Sequence, residues 1–350
     1  MCETIHGGDI YRNSVKLDFS VNINPLGIPK RVKLALHEAL SLCSCYPDDR
    51  AEALRTAISR MTGAKTEEIL CGNGASELFL AMVHAIRPGR TLIPVPSFFG
   101  YEKAAAAGSG TVSYYDMKKE HQFCLDKSFL DSLTEEVDLL FLANPNNPVG
   151  NQIKPELLEQ ILERCREKQI FVAVDECFLE FTETEPTQTL IKRTTEFDNV
   201  IVIRAFTKIF AIPGVRLGYL ICSNRDLIQR INAQLPEWNL SVFAQMAGRV
   251  AASETGFIEE SREIVRLERQ FLREGLQEQG MKLYPGTANY LLFQTELPLY
   301  GKLLEQGILI RDCGNYRGLE QGYYRIAVRT RKENEMLIEA VRQIREMDGT

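Results

Sequence analysis

The sequence predicts an α/β fold in which helices cover a mostly parallel β-sheet and a smaller α/β unit follows. Two patterns carry this prediction. Short apolar, β-branched runs are typical of buried strands, and helical patterns with apolar residues on one face lie between several of them. Strands that alternate with helices form parallel sheets with covered faces. Of the 350 residues, 45% are hydrophobic and 25% are charged, so we expect a large core and two domains.

Apolar runs in the first two thirds of the chain have the composition of strands. They are EIL (68–70), TLIPVP (91–96), VDLLFLA (137–143), IFVAVDE (170–176), NVIVIRAF (199–206) and LGYLICS (217–223). Helical patterns such as ASELFLAMVHAI and KPELLEQILERCREKQ lie between several of these runs. This alternation predicts a large domain that comprises residues 40–240.

The pattern changes after Trp238. A long, charge-rich helical stretch is predicted at roughly 244–279. Shorter strands follow at KLYP, NYLLF, GILIR and YYRIAV, and the helix KENEMLIEAVRQIREM comes last. These elements predict a smaller α/β domain of residues 241–350, on which we expect the N-terminal arm, residues 1–39, to pack.

Charge and cysteine usage narrow the possible function classes. The net charge is −6 and no basic run recurs along one face, which disfavours nucleic acid or a membrane as partner and favours a small molecule. The first ten residues lack a signal pattern, and no apolar run approaches the length of a membrane span. The nine cysteines show no CxxC spacing, so we expect free thiols, no metal site and a cytoplasmic enzyme.

Residues suited to ligand binding follow the carboxyl ends of five predicted strands, where open parallel sheets bind their ligands. They are CGNGASE after EIL, SFFGY after TLIPVP, NPNNPVG after VDLLFLA, Asp175 at the end of IFVAV, and Thr207 with Lys208 after NVIVIRAF. Taken singly, each has an ordinary structural explanation: a glycine turn, an asparagine-rich turn, a surface carboxylate or a solvated lysine. A dinucleotide fingerprint is disfavoured, because Glu77 stands where the third glycine would fall.

In combination, these residues match the needs of a pyridoxal phosphate site. The cofactor phosphate requires backbone N–H groups, hydroxyls and a guanidinium. The candidates for these contacts are Gly74, Ala75, Ser76, Thr207 and Arg216.

The cofactor ring and its aldehyde require four further groups. A carboxylate, Asp175, keeps the pyridine nitrogen protonated. Phe98 covers the flat ring face, and Asn147 donates a hydrogen bond to the phenolic O3′. Lys208 supplies the amine for a Schiff base with the aldehyde. We therefore predict Lys208 and Asp175 as the catalytic residues.

The chain resembles the fold type I pyridoxal phosphate enzymes and is close to the histidinol-phosphate aminotransferases. The resemblance covers nearly the whole length, through Tyr46-Pro47, GNGASE, PSF, NPNNPVG, DECF and FTKIFAIPGVRLGY in the family's order. It implies the residue roles given above. It also implies a homodimer with a shared active site, in which Tyr46 reaches the cofactor phosphate of the neighbouring subunit.

Other features resemble threonine-phosphate decarboxylase, the branch that makes aminopropanol phosphate for cobalamin. They are HGG at 6–8, DFSVNINPLG at 18–27, the segment 311–334, and Phe178 where the aminotransferases have a tyrosine. A phenylalanine cannot donate a second hydrogen bond to O3′. Position 205 departs from both branches, because Ala205 replaces the usual Ser or Thr, which puts one phosphate contact in question.

Five residues are predicted to bind the substrate. Arg325 aligns with the family's carboxylate-binding arginine. We expect Arg329 and Arg331 to hold a substrate phosphate, the alternative being a solvated strand end or a salt bridge at a helix start. His6 and Asn22 are expected on an arm that closes over the substrate, the alternative being a plain surface loop.

The predicted reaction is the decarboxylation of a phosphorylated amino acid, L-threonine O-3-phosphate, to (R)-1-amino-2-propanol phosphate. Serine phosphate is an alternative substrate, and Lys208 or water is the proton donor to Cα. The nearest alternative function is an aminotransferase for histidinol phosphate or a related amino acid. A ligand-sensing relative without catalysis is a third.

Overall fold

The computed structural model describes residues 6–349, so the first five residues of the predicted N-terminal arm and residue 350 lie outside the described residues. The strands are β1 (Leu17–Asp18), β2 (Ile69–Gly72), β3 (Arg90–Val95), β4 (Thr111–Asp116), β5 (Leu139–Ala143), β6 (Phe171–Asp175), β7 (Val200–Ala205), β8 (Gly218–Ile221), β9 (Lys282–Leu283), β10 (Tyr290–Gln294), β11 (Ile308–Leu309), β12 (Arg311–Asp312) and β13 (Tyr323–Ala327). The helices are α1 (Lys30–Ala39), α2 (Glu52–Thr62), α3 (Ala75–Ile86), α4 (Phe99–Ala107), α5 (Pro155–Glu167), α6 (Glu185–Gln188), α7 (Phe206–Ile209), α8 (Arg225–Asn232), α9 (Val242–Ala251), α10 (Thr255–Glu278), α11 (Leu299–Glu305) and α12 (Arg331–Asp348).

The large sheet has seven strands in the order β2-β8-β7-β6-β5-β3-β4. Strand β8 runs antiparallel to both of its neighbours, and the remaining pairs are parallel. The inner strand β7 is buried at every position, as expected for a strand covered on both faces. The prediction of a mostly parallel sheet is therefore confirmed.

Two apolar cores lie on opposite faces of this sheet. Along β7, Val200 and Val202 belong to one core, while Ile201 and Ile203 belong to the other. Successive strand residues point to opposite faces, so one apolar run supplies both cores. Helix α5 packs on the first face and α3 on the second, which leaves the strand ends as the accessible edge.

The chain after α9 forms the smaller α/β unit. Its antiparallel sheet has the order β12-β13-β10-β9, and residues of α10 and α12 share an apolar core with it. The N-terminal arm joins this unit through the parallel pair β1–β11, where Leu17 lies opposite Ile308, and through the fully buried Phe19. The domain boundaries near residues 40 and 240 stay a prediction.

The helical stretch predicted over 244–279 consists of two helices. Helix α9 ends at Ala251 and α10 begins at Thr255. Between them the N–H groups of Ser253 and Glu254 bond to carbonyls only three residues back, at 3.0 and 2.9 Å, and the Ser253 hydroxyl caps the carbonyl of Val250 at 2.7 Å. This tighter turn ends α9 and separates it from α10.

Two shorter features were also not anticipated. The segment GILIR is split into β11 and β12 by the buried Ile310. The edge strand β4, TVSYYD, is half-exposed along most of its length, so it lacks the apolar run that marks a central strand. Within residues 6–349, no helix combines the length and the hydropathy that crossing a membrane requires.

Candidate active site

A cavity of about 460 Å³ lies where β6 and β7 end, between the start of α3, the N-terminal arm and the small sheet. It brings together most of the predicted site residues. Those in its wall are His6, Asn22, Ala75, Ser76, Phe98, Asn147, Asp175, Thr207, Lys208, Arg216 and Arg325. They come from distant parts of the sequence. Asp175, Thr207 and Lys208 meet because the parallel strands β6 and β7 end at one edge of the large sheet, whereas Arg325 is contributed by the small sheet.

The start of α3 forms one end of the cavity. Gly74 precedes the helix with φ 79° and ψ 167°, and no side chain of the described residues caps the first turn, so its N–H groups are available to an anion. A Cβ atom on Gly74 would lie 2.4 Å from Nη2 of Arg216. Only glycine therefore lets the Arg216 guanidinium lie against the helix start, and Ser76 lines the same cavity.

The ends of β7 and β8 approach the same helix start. Ala205 lies in the cavity wall and opposite Gly218, and a Cβ atom on Gly218 would lie 2.7 Å from the backbone nitrogen of Ala75. Ala205 has no hydroxyl, so on β7 and the turn after it the hydroxyl that lines the cavity belongs to Thr207.

Asp175 ends β6 and is held by two donors. Its Oδ1 accepts a hydrogen bond from the backbone N–H of Cys177 at 2.9 Å, and its Oδ2 accepts one from the Tyr101 hydroxyl at 2.6 Å. Burial raises the pKa of Asp175, while these hydrogen bonds and the charge of Lys208 oppose the rise. A cationic ring nitrogen beside this carboxylate would favour the ionised form further.

Lys208 presents its amine to the same cavity. Burial, followed by the charges of Arg325 and Arg216, lowers the pKa of Lys208 to about 8. Near that pH about half of the amine is neutral and can act as a nucleophile, which a lysine needs in order to bond to an aldehyde. The Lys208 carbonyl accepts a hydrogen bond from the backbone N–H of Asn24 at 3.2 Å, which ties the turn to the N-terminal arm.

Arg325 fixes the orientation of the Asn147 amide. One of its Nη atoms donates to Oδ1 of Asn147, and the other donates to the carbonyl of Ser20 at 2.9 Å. Asn147 therefore keeps its Nδ2 group as a donor, which is the group that O3′ requires. Nε of Arg325 and Oδ1 of Asn22 are buried without a hydrogen-bond partner among the described residues.

Aromatic side chains complete the wall. The Phe98 ring lies 6.5 Å from that of His6, and Phe178 packs edge-on against Tyr290 at 5.0 Å. Burial, with the charges of Arg311 and Lys103, lowers the pKa of His6.

Arg311 was missed by the sequence analysis as a site residue. It is 4% exposed, lies in the cavity wall with Tyr316, and donates to Oδ1 of Asn315 at 2.8 Å. Within residues 6–349 it has no carboxylate partner at salt-bridge distance. On the small sheet it lies directly opposite Arg325, so the pairing of GILIR with YYRIAV is the signal that could have identified it.

Arg329 and Arg331 lie outside the cavity wall. Arg331 pairs with Glu268 at 3.0 Å and is half-exposed, and Arg329 pairs with Glu333 at 2.9 Å. This placement corrects the prediction that they hold a substrate phosphate, because both guanidiniums already face carboxylates elsewhere. The alternative of a salt bridge at a helix start describes Arg331, the first residue of α12.

Tyr46 also lies outside the cavity wall. Its side chain is 80% exposed, and its ring centroid lies 4.7 Å from that of Trp238. Its predicted contact is with the cofactor of a neighbouring subunit and stays a prediction.

The donor set fits pyridoxal phosphate. It offers N–H groups, hydroxyls and a guanidinium at one end, a lysine amine in the middle, and a hydrogen-bonded carboxylate on β6. Of the ten buried side-chain polar atoms that have no partner among the described residues, two, Nε of Arg325 and Oδ1 of Asn22, lie on residues of this wall, where a polar ligand would complete their hydrogen bonding. Over the described range, no group of three or more His, Cys, Asp or Glu residues is arranged to hold a metal ion.

Comparison with known proteins agrees with this geometry. The family model "Aminotransferase class I and II" matches residues 14–341. The chain is 35% identical over 351 residues to the threonine-phosphate decarboxylase of Salmonella typhimurium, covering 97% of this chain and 96% of that protein.

Two solved structures are similar over nearly the whole chain. The histidinol-phosphate aminotransferase from Clostridium acetobutylicum has a TM-score of 0.89 and 32% identity, covering 94% of this chain and 99% of that chain. The histidinol-phosphate aminotransferase from Sinorhizobium meliloti in complex with pyridoxal-5′-phosphate has a TM-score of 0.85 and 19% identity, covering 95% and 91%; it shares the fold. The chain therefore belongs to the class I and II aminotransferase family, and it is a pyridoxal phosphate-dependent enzyme of fold type I.

Proposed function

We propose that the protein is a cytoplasmic homodimer that decarboxylates L-threonine O-3-phosphate to (R)-1-amino-2-propanol phosphate for cobalamin biosynthesis. The observation that carries the proposal is the charge of the cavity wall. Among the described residues, Lys208, Arg216, Arg311 and Arg325 line the cavity, and Asp175 is its single carboxylate. This excess of positive charge suits a cofactor and a substrate that are both anionic.

The arginines of the cavity wall can be assigned to two ligands, the cofactor and the substrate. Arg216 lies against the start of α3, where the cofactor phosphate would be held. Arg311 and Arg325 then remain for the substrate, opposite each other on the small sheet. Threonine phosphate carries two anionic groups, a carboxylate and a phosphate, whereas histidinol phosphate carries only the phosphate. Two guanidiniums therefore match threonine phosphate better than histidinol phosphate.

Five residues of the wall have assigned roles in the proposed reaction. Pyridoxal phosphate, when bound, supplies a ring that withdraws electrons from Cα of the substrate. Arg325 orients the carboxylate, and Arg311 anchors the phosphate. Lys208, whose pKa is lowered to about 8 by burial so that both the amine and the ammonium are accessible near that pH, exchanges protons at Cα. The apolar rings of Phe98 and Phe178 limit the access of water.

The proposed homodimer rests on an exposed apolar surface. Tyr46 and Trp238 are 80% and 46% exposed and lie side by side, with ring centroids 4.7 Å apart, and Leu34 and Leu40 are each 61% exposed. Contiguous exposed apolar patches on folded proteins commonly mark interfaces. We propose that a second copy of the chain covers them and that Tyr46 reaches its cofactor phosphate. The cytoplasmic location is supported by the eight cysteines of the described range, which are all free thiols.

The decisive experiment supplies L-threonine phosphate to the holoenzyme without any keto acid. Many molecules of carbon dioxide per active site are expected, with aminopropanol phosphate as the second product. Serine phosphate in a parallel reaction measures the preference for the β-methyl group. An aminotransferase would instead turn over threonine phosphate at most once per active site without a keto acid. It would convert histidinol phosphate steadily once 2-oxoglutarate is added.

A further inference from the structure

We propose that Tyr101 is a positioning residue for the reaction, because its hydroxyl holds the Asp175 carboxylate in place and in its ionised form. The inference rests on the proposed cofactor site, in which Asp175 faces the pyridine nitrogen. Tyr101 belongs to α4 and is not part of the cavity wall. It therefore acts on the cofactor through Asp175.

The Tyr101 hydroxyl has one described partner. It donates to Oδ2 of Asp175 at 2.6 Å, and the side chain is only 1% exposed. A buried hydroxyl is costly unless it is hydrogen-bonded. Burial, followed by the nearby Asp175 charge, raises the pKa of Tyr101 well above its usual value, so the phenol keeps its proton and remains a donor.

Packing alone does not explain a tyrosine at this position. The ring stacks on Phe141 at 5.1 Å with an interplanar angle of 12°, and it meets Phe79 edge-on at 5.2 Å. A phenylalanine would preserve both contacts. The hydroxyl is therefore the part of the side chain that the core does not require.

Two donors define how Asp175 faces the cavity. The Cys177 N–H occupies one acceptor position on Oδ1, and the Tyr101 hydroxyl occupies one on Oδ2. Each carboxylate oxygen has two acceptor positions, so one on each oxygen remains for other donors. Hydrogen bonds to the charged form favour ionisation, and an ionised carboxylate is what keeps a pyridine nitrogen protonated.

Tyr101 also touches the second residue assigned to the cofactor ring. Its ring meets that of Phe98 edge-on, with centroids 5.6 Å apart and an interplanar angle of 82°. One side chain thus supports both the residue that covers the ring face and the carboxylate at the ring nitrogen. Tyr101→Phe separates these roles, because it keeps the aromatic contact and removes the hydrogen bond.

The test compares wild type, Tyr101→Phe and a matched control, Tyr114→Phe. The control also removes a phenol that donates to a carboxylate, here Glu102 at 2.8 Å, but Tyr114 lies on the edge strand β4. Each protein is loaded with pyridoxal phosphate labelled with ¹⁵N in the ring. The ¹⁵N chemical shift reports protonation of the ring nitrogen, and a titration of the apo-protein gives the cofactor Kd.

Wild type and Tyr114→Phe should show the protonated ring nitrogen and equal Kd values. Tyr101→Phe should move the ¹⁵N shift toward the neutral ring and weaken cofactor binding about tenfold. Replacement of Tyr101 by 3-fluorotyrosine, a stronger donor of similar shape, should keep the protonated signal, and it serves as the test if Tyr101→Phe does not fold.

Two negative results have different meanings. If Tyr101→Phe gives the wild-type ¹⁵N shift and Kd, or if the fluorinated protein shows a neutral ring, the role of Tyr101 is overturned and the proposed function stands. If wild type itself does not bind pyridoxal phosphate, the proposed function and this inference both fail.

Discussion

Replacement of Gly74 by alanine should weaken cofactor binding through Arg216. A Cβ atom at this position would lie 2.4 Å from Nη2 of Arg216, whereas ordinary contacts begin at 3.4 Å. The guanidinium must therefore move by about 1 Å. Because Nη2 is the end of a flexible side chain, the clash is relieved by displacing Arg216 from the start of α3, and the main loss falls on phosphate binding.

The magnitude follows from the contact that is lost. A hydrogen bond to a charged group contributes about 1.5–3 kcal/mol, so the Kd for pyridoxal phosphate should rise roughly 10- to 150-fold. Alanine at position 74 also costs about 1–3 kcal/mol of unfolding free energy, because φ 79° with ψ 167° lies in a region that is essentially restricted to glycine. Gly63→Ala is the control for alanine at positive φ without a steric clash, because Gly63 has φ 78° with ψ 0°, where alanine costs about 1–2 kcal/mol, and nothing lies within 4 Å of its added Cβ.

The assay combines a fluorescence titration of each apo-protein with pyridoxal phosphate and urea unfolding of the same samples. Both variants should lose stability, and only Gly74→Ala should lose cofactor affinity. A folded Gly74→Ala protein with the affinity of wild type would refute the reasoning, because it would show that Arg216 does not hold the cofactor phosphate from this position.

Further predictions concern the substrate and the pH dependence of stability. Arg311→Gln should raise the KM for threonine phosphate roughly 10- to 150-fold. Arg331→Gln should leave this KM unchanged and lower the unfolding free energy by less than about 1 kcal/mol, because the pair of Arg331 with Glu268 is half-exposed. Equal KM values for the two variants would contradict the assignment of Arg311 to the substrate. Burial, opposed by the charge of Arg204, raises the pKa of Glu180 from 4.5 to about 7. Between pH 4.5 and about pH 7 the folded protein therefore keeps a proton on Glu180 that the unfolded chain has lost, so the free energy of unfolding should fall as the pH rises through this range. Urea unfolding from pH 5 to pH 8 should show a shallower fall for Glu180→Gln, and an unchanged slope would rule out Glu180 as the source.

Most strands of the large sheet and many residues of the cavity wall could be predicted because their signals are local in sequence. The run VIVIRAF identifies a strand by its own composition, and the chemistry of Lys208 or Asp175 is visible at the strand end where it acts. Parallel topology then brings such ends together without any knowledge of side-chain contacts. Helix α3, which was predicted from ASELFLAMVHAI, begins and ends where this pattern does.

The residues that were missed or misassigned depend on contacts between distant segments. Arg311 belongs to the site because β12 pairs with β13 in one register. Arg331 does not belong, because Glu268, which lies 63 residues away in sequence, binds it. Tyr101 and Asp175 are 74 residues apart. No local pattern specifies which distant carboxylate a guanidinium or a phenol will meet.

The central claim is that Lys208 bonds covalently to the aldehyde of pyridoxal phosphate. Borohydride reduction of the holoenzyme fixes that bond, and mass spectrometry of a digest then locates the added pyridoxyl phosphate. We predict the label on Lys208 in wild type and its loss, together with turnover, in Lys208→Ala. Stoichiometric labelling of another lysine, or turnover that survives in Lys208→Ala, would contradict the claim.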